Sequence, residues 1–128
     1  MAQSFNELRI WQISEQLVVK IYKMTDIFPK DEVYNIVSQL RRAAVSIPTN
    51  IAEAHGRYHD AETIHFLYNA RGSAEEVRSL LMTSLDLGYI TNDIFQQTNE
   101  EYLNLIRSIN SFVRAIRKTN QPINQLSD

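Results

Sequence analysis

Three histidines and two groups of arginines are the side chains of this chain whose types and spacing could do chemistry. His55 and His59 stand four apart, a spacing that puts two imidazoles on one helix face, where they can share a metal. Gly56 and an expected turn fall between them, so they are not read as a ligand pair. Glu62 and His65 form one Glu-x-x-His. A carboxylate-bridged two-metal bundle needs two such motifs and two further glutamates; this chain supplies one, at a helix start. Capping and surface roles account for the three histidines, so neither a metal nor a cofactor is expected. No Ser or Thr has a His–Asp partner pattern, cysteine is absent, and no glycine-rich loop is present to cradle a phosphate. An enzyme is not expected.

The first arginine group belongs to a narrow polar stripe, Arg42, Ser46, Asn50, Glu53 and Arg57. Helical spacing puts these five on one line. Glu53 is within helical reach of both Asn50 and Arg57, so the structural reading is a hydrogen-bonded network. Buried between subunits, such a network fixes register more than it stabilises. The functional reading is an arginine-lined surface for phosphate or an acidic partner. The second group is Arg107, Arg114 and Lys118 on one outer strip of the last helix, with Arg117 nearby. These are candidate nucleic-acid contacts. Glu100 shares the strip and Glu101 adjoins it, so a solvated charged face is the favoured reading.

The elements that position these residues read as four amphipathic helices. Gln39–Arg57 is apolar over more than half its circumference and must be covered from two directions. Val33, Ile36, Val37, Leu40, Ala43, Ala44, Ile47, Ile51 and Ala54 form its main arc, and Tyr34, Val45, Pro48 and Ala52 continue it. Asp31 is the expected N-cap of this second helix. Pro48 costs about 3 kcal/mol inside an ordinary helix. The apolar period nevertheless runs through it, so a continuous helix kinked at Pro48 is expected, with Ser46, Thr49 and Asn50 near the freed carbonyl. The first helix spans about 6–27 and carries Trp11 as a core anchor. The third starts near His59 or Asp60, with Asp60 as a cap. Ala70, Ser73 and Ala74 permit close approach on its buried face. Ile64, Tyr68, Gly72 and Met82 lie off that face, and Tyr68 and Gly72 are candidate subunit contacts. Gly88 closes this helix, and Thr91 or Asn92 caps the fourth, which runs to about Lys118.

Arg41–Glu53, R-R-A-A-V-S-I-P-T-N-I-A-E, resembles the signature of the bacterial four-helix-bundle proteins of the 23S ribosomal RNA intervening-sequence family. The accessory proteins of diversity-generating retroelements are similar. Leu8 with Trp11, Phe28-Pro29, Phe66-Leu67, Ala70-Arg71-Gly72-Ser73, Glu75-Glu76 and Leu87-Gly88-Tyr89-Ile90 follow in the family's order. The resemblance implies an up-down-up-down bundle that assembles into a ring of five. It also implies a link to a reverse transcriptase and its RNA among the retroelement relatives, which are strongly basic.

At 128 residues with a net charge of −2, the chain is one domain with no global pull toward nucleic acid. Three glycines and three prolines favour long helices over many short strands. The absence of cysteine fits a reducing cytoplasm, and no apolar run reaches membrane-spanning length. The expectation is an all-α antiparallel up-down-up-down four-helix bundle over residues 1–118. A polar, flexible tail is expected over 119–128. The function expected is that of a non-enzymatic scaffold that self-associates, as a pentamer by resemblance. The alternative is an accessory factor that binds RNA or DNA and works with a nucleic-acid enzyme.

Overall fold

The computed structural model describes residues 4–119, and the chain in this range is all-α. Four helices pack on one another: α1 (Arg9–Thr25), α2 (Ile36–His55), α3 (Asp60–Asp86) and α4 (Asn92–Thr119). Residues 120–128, to which most of the expected tail belongs, lie outside the described range.

Each helix is bounded by local chemistry. Phe5–Glu7 closes as a 3-10 turn and Leu8 is extended, so α1 starts at Arg9 and not near Asn6. Trp11 is half-buried at this end and meets the Phe5 ring edge-on at 5.3 Å. At the other end the Thr25 hydroxyl donates to the Ile21 carbonyl at 2.8 Å. Phe28 then folds inward against Tyr89, with the ring centres 5.2 Å apart.

The start of α2 departs from expectation. Asp31 does not cap it; Lys30–Glu32 forms a second 3-10 turn and Asn35 occupies the N-cap position. The reason is a competing local bond. Asn35 Nδ2 donates to the Asp31 carbonyl and to Glu32 Oε1, both at 3.2 Å, which holds the preceding turn out of the helix. Val33 and Tyr34 therefore leave the apolar arc, and Tyr34 is 93% exposed.

From Ile36 onward α2 is continuous through a buried Pro48. A proline there frees the carbonyl of Ala44. Thr49 Oγ1 donates to the Val45 carbonyl at 2.9 Å, and Asn50 Nδ2 to the Ser46 carbonyl at 2.8 Å. These two side chains thus serve the carbonyls just after the freed one.

Asp60 is the first residue of α3 rather than its cap. His59 holds the N-cap position without a side-chain bond to the backbone. Asp60 and Glu62 still favour the positive end of the helix. At the far end Gly88 takes φ +78°. Its N–H reaches the Leu85 carbonyl and the Tyr89 N–H reaches the Ser84 carbonyl, both at 2.9 Å. This six-to-one closure needs a residue free to adopt positive φ. Thr91 Oγ1 then accepts from the Ile94 N–H at 3.2 Å and caps α4.

Leu17 and Ile21 of α1, Leu40, Ile47 and Ile51 of α2, Leu67, Val77 and Leu81 of α3, and Leu105 and Ile109 of α4 form one core. The α2–α3 seam is the most extensive, and α1–α4 is much thinner than α1–α2 or α3–α4. Small residues explain the first: Ala43, Ala44 and Ala54 on α2, with Ala70 and Ala74 on α3, are all buried. The pairs Arg71–Asn110 and Arg78–Asn99 join α3 to α4, with residue numbers running in opposite directions.

Two hydroxyls sit in this core without a hydrogen-bond partner among the described residues, Thr98 Oγ1 and Tyr102 OH. Burial pushes the Tyr102 hydroxyl well above its ordinary pKa, with Glu101 adding to the effect. Ser14, Thr25 and Ser84 are also buried, but each bonds to its own helix's carbonyls.

Candidate functional site

The polar stripe of α2 divides into three separate groups. Arg42 is exposed and donates to Ser38 Oγ at 3.3 Å. Ser46 faces α3, its hydroxyl oxygen 2.9 Å from that of Ser73, and Asn50 Nδ2 lies 3.0 Å from the same Ser46 oxygen. Glu53 pairs with Arg57, which also lies 3.9 Å from Glu62 and stacks 4.4 Å from the centre of the Phe66 ring. Asn50 thus bonds back toward Ser46 and Glu53 forward to Arg57. The middle of the stripe belongs to the α2–α3 seam, and its far end ties the α2–α3 turn.

Arg41, one position before the stripe, does more cross-helix bonding than any stripe member. Its Nε donates to Thr25 Oγ1 at 2.9 Å and its Nη2 to the Tyr22 carbonyl at 3.3 Å. It lies 3.6 Å from Asp26 and 4.5 Å from the centre of the Tyr22 ring. Periodicity alone gave no reason to single it out, because it lies at the edge of the apolar arc. The doubled arginine of Arg41-Arg42 was the available signal.

The histidines do not assemble into a ligand set. Glu62 turns to Arg57, while His65 approaches Asn69 and meets Phe66 edge-on, with 5.4 Å between ring centres. His59 packs against Tyr58. Among the described residues no three His, Cys, Asp or Glu side chains converge. His55 lines a cavity of about 320 Å³ at this end of the bundle, floored by Ile10, Ile51, Leu67 and Phe112.

The tertiary structure joins two sets that were separate in the sequence. Tyr68 of α3 and Arg117 of α4 meet: the guanidinium lies 5.5 Å from the ring centre. Arg71, one turn after Tyr68, lies 4.4 Å from the same ring and donates through Nη1 to Asn110 Oδ1 at 2.9 Å. Arg114 donates to Ser111 Oγ at 3.0 Å. Arg107 does not share this setting. It is drawn back to Glu100 at 3.4 Å and Asn104 at 2.8 Å. Gly72 is exposed, and a Cβ placed there would meet nothing within 4 Å.

Charge explains why this face stands out. Residues 63–74 of α3 and 102–119 of α4 contain no Asp or Glu, yet they carry Arg71, Arg107, Arg114, Arg117 and Lys118. The net −2 of the chain therefore conceals two acid-free, basic runs, one on α3 and one on α4. Among the described residues no carboxylate comes within ion-pair distance of Arg71, Arg114, Arg117 or Lys118, whereas Lys20, Arg41, Arg57, Arg78 and Arg107 each have at least one. Arg71 was missed in the sequence. Its signal was an acid-free run in α3 that matched the one in α4.

Fold and site together define a four-helix bundle in which Tyr68 gathers two arginines across α3 and α4. The chain belongs to the 23S rRNA-intervening sequence protein family, whose model matches residues 6–111. It is similar to the crystal structure of a protein of unknown function from the S23 ribosomal protein family of Bacteroides thetaiotaomicron. That likeness has a TM-score of 0.76 and 22% identity, and covers 82% of this chain and 95% of the other. No curated protein matches the chain.

Proposed function

We propose that this chain is a non-enzymatic binding module whose α3–α4 face engages the phosphate backbone of nucleic acid as an accessory to a nucleic-acid enzyme. One observation carries the reading. Tyr68 gathers Arg71 of α3 and Arg117 of α4, Arg114 and Lys118 lie beside Arg117 in the chain, and residues 63–74 and 102–119 that bear them hold no acid. Basic side chains interleaved with an aromatic are the footprint of a sequence-tolerant nucleic-acid surface. Membership of a family named for an inserted segment of ribosomal RNA supports RNA as the first partner to try. No described helix is long and apolar enough to cross a membrane. The absence of cysteine fits a cytoplasmic setting.

The test is binding of the purified protein to structured RNA and to single-stranded DNA across a salt series. Each phosphate neutralised adds about 0.7 to 0.9 to the slope of log affinity against log salt, so engagement of four cations gives a slope near −3. Binding that ignores salt, or none at all by the folded protein, sinks the reading and moves the search to protein partners.

A second reading is a self-associating scaffold, pentameric by family resemblance. Its support is an exposed patch at the α1–α2 junction. Tyr22, Val33, Tyr34 and Val45 border a shallow hollow with Arg41 and Arg42. Clustered exposed apolar groups mark association surfaces more often than scattered ones do. The native mass, taken in the same buffers, decides it: a single-chain mass removes this reading. In a ring, the cationic face would repeat and bind multivalently.

A further inference from the structure

The two guanidiniums at Tyr68 stand in an unfavourable relation to each other. Both carbons lie close enough to one ring centre that they are within roughly 10 Å of each other, no more than a Debye length at 0.1 M salt. Among the described residues no carboxylate pairs with either. Arg71 is held in place by Asn110 and by the ring, and Tyr68 is itself half-buried on α3. Like charges kept together with no counter-charge cost free energy, and a bound anion recovers it. The anion that suits two planar guanidiniums is a phosphate, which accepts paired N–H bonds from each. Arg71 has committed one N–H to Asn110 and keeps others to offer.

We propose that Tyr68 is a positioning residue that holds Arg71 and Arg117 as a two-guanidinium cradle for one phosphate group. This rests on the polyanion-binding reading and adds to it a discrete subsite across α3 and α4. The phosphate can be a diester within a strand or a terminal or free phosphate. The recognising chemistry is the same, and the experiment separates these sources.

The experiment uses the full chain and a short single-stranded oligonucleotide, with and without a 5′-phosphate, and inorganic phosphate as competitor and as an NMR titrant of the arginine side chains. Five variants are compared: Arg71→Gln, Arg117→Gln, the double variant, Tyr68→Phe and Tyr68→Leu. Melting temperature is recorded for each. The two arginine losses are expected to be coupled, so the double variant loses less than the product of the singles. Tyr68→Phe keeps the ring and binds like the parent. Tyr68→Leu weakens binding about threefold, the size of an exposed cation–π contact, with folding retained. If Tyr68→Leu unfolds, Arg71→Lys and Arg117→Lys carry the test. They keep charge but lose the fork, and binding must still fall. Dependence on the 5′-phosphate assigns the cradle to a terminal group; indifference to it assigns an internal diester.

Independent arginine losses together with a Tyr68→Leu variant that binds like the parent overturn the cradle and leave the polyanion reading intact. Absence of oligonucleotide binding, with inorganic phosphate still shifting the arginine signals of the parent but not of Tyr68→Leu, keeps the cradle and removes the nucleic-acid reading. Silence in both assays overturns both.

Discussion

Ser46 of α2 and Ser73 of α3 face each other with their hydroxyl oxygens 2.9 Å apart. They lie on helices that carry buried alanines nearby in the chain, Ala43 and Ala44 on α2 and Ala70 and Ala74 on α3. Small side chains let the backbones approach, and the serine pair satisfies the polar groups that the approach half-buries. Asn50 completes the group by donating to both the carbonyl and the hydroxyl of Ser46.

Replacing Asn50 with leucine removes both donations and presses an apolar branch against two hydroxyls. Loss of about 1 kcal/mol is expected, which for a domain of this size lowers the melting temperature by roughly 2–6 °C. Native mass from the same sample tests the interface reading. If neither mass nor melting temperature moves, the stripe has no role in holding the fold or the assembly.

Arg41 and Arg42 are neighbours with different work. Arg41 ties α2 to the end of α1 through Thr25, Tyr22 and Asp26, whereas Arg42 reaches Ser38 on its own helix. Arg41→Gln is expected to cost about 1–2 kcal/mol, since charge-assisted bonds to partly buried partners are lost. Arg42→Gln should fall within about 0.5 kcal/mol of the parent. Urea denaturation of the two variants checks the ranking, and equal midpoints refute it.

Tyr102 predicts behaviour at high pH. Its hydroxyl is fully buried, unpartnered among the described residues and held above the ordinary 10.0 by burial. Well below pH 10 the group is neutral in both folded and unfolded chains, and its contribution to stability is constant. As pH rises further, only the unfolded chain releases the proton readily, so stability falls. The hydrogen bond from Tyr89 to Glu32, at 2.8 Å, raises the Tyr89 pKa and adds a change of the same sign. Tyr102→Phe should flatten the loss between pH 9.5 and 11.5 and leave the protein as stable or about 1 kcal/mol more stable at pH 7. A variant with the parent's alkaline slope would contradict this assignment.

Pro48 is expected to bend α2, because its ring opposes the preceding turn and its nitrogen cannot donate. Pro48→Ala should straighten the helix axis. Since Pro48 is buried, the change also trims the packing, so a gain in helix propensity and a loss of contact offset each other. Crystal structures of both proteins decide the point; the same axis in each would mean that packing against α1 and α3 sets the path.

Gly72 has open space around it. In a chain with nothing packed there, Gly72→Ala should stabilise by roughly 0.5–1 kcal/mol, as alanine does in an exposed helix interior. A drop in native mass on this substitution would instead place a neighbouring copy against this position.

Much of this architecture is legible in the sequence. Most of the periodic apolar positions of α3 and α4 are buried or partly buried, because an amphipathic helix buries the stripe it carries, although Ile94 in the first turn of α4 stays exposed. Gly88 and Thr91 mark their ends by mechanisms confined to a few residues. The misplaced start of α2 has the opposite cause. Asp31 and Asn35 both make plausible caps, and the choice depended on which turn the Asn35 side chain would bond. Buried Thr98 and Ser14 also escaped notice, because a hydroxyl in an apolar stripe looks like a break in it.

The sequence by itself determined that four amphipathic helices form, where most of them end, and which family they belong to, since spacing, caps and linked motifs are local and ordered along the chain. Only the tertiary structure decided that Tyr68, Arg71 and Arg117 form one group, that Ser46 meets Ser73, and that Arg41 outranks Arg42. Those outcomes depend on which side chains from helices distant in sequence are brought within a few ångströms. That is set by how the helices rotate and slide as their apolar faces pack.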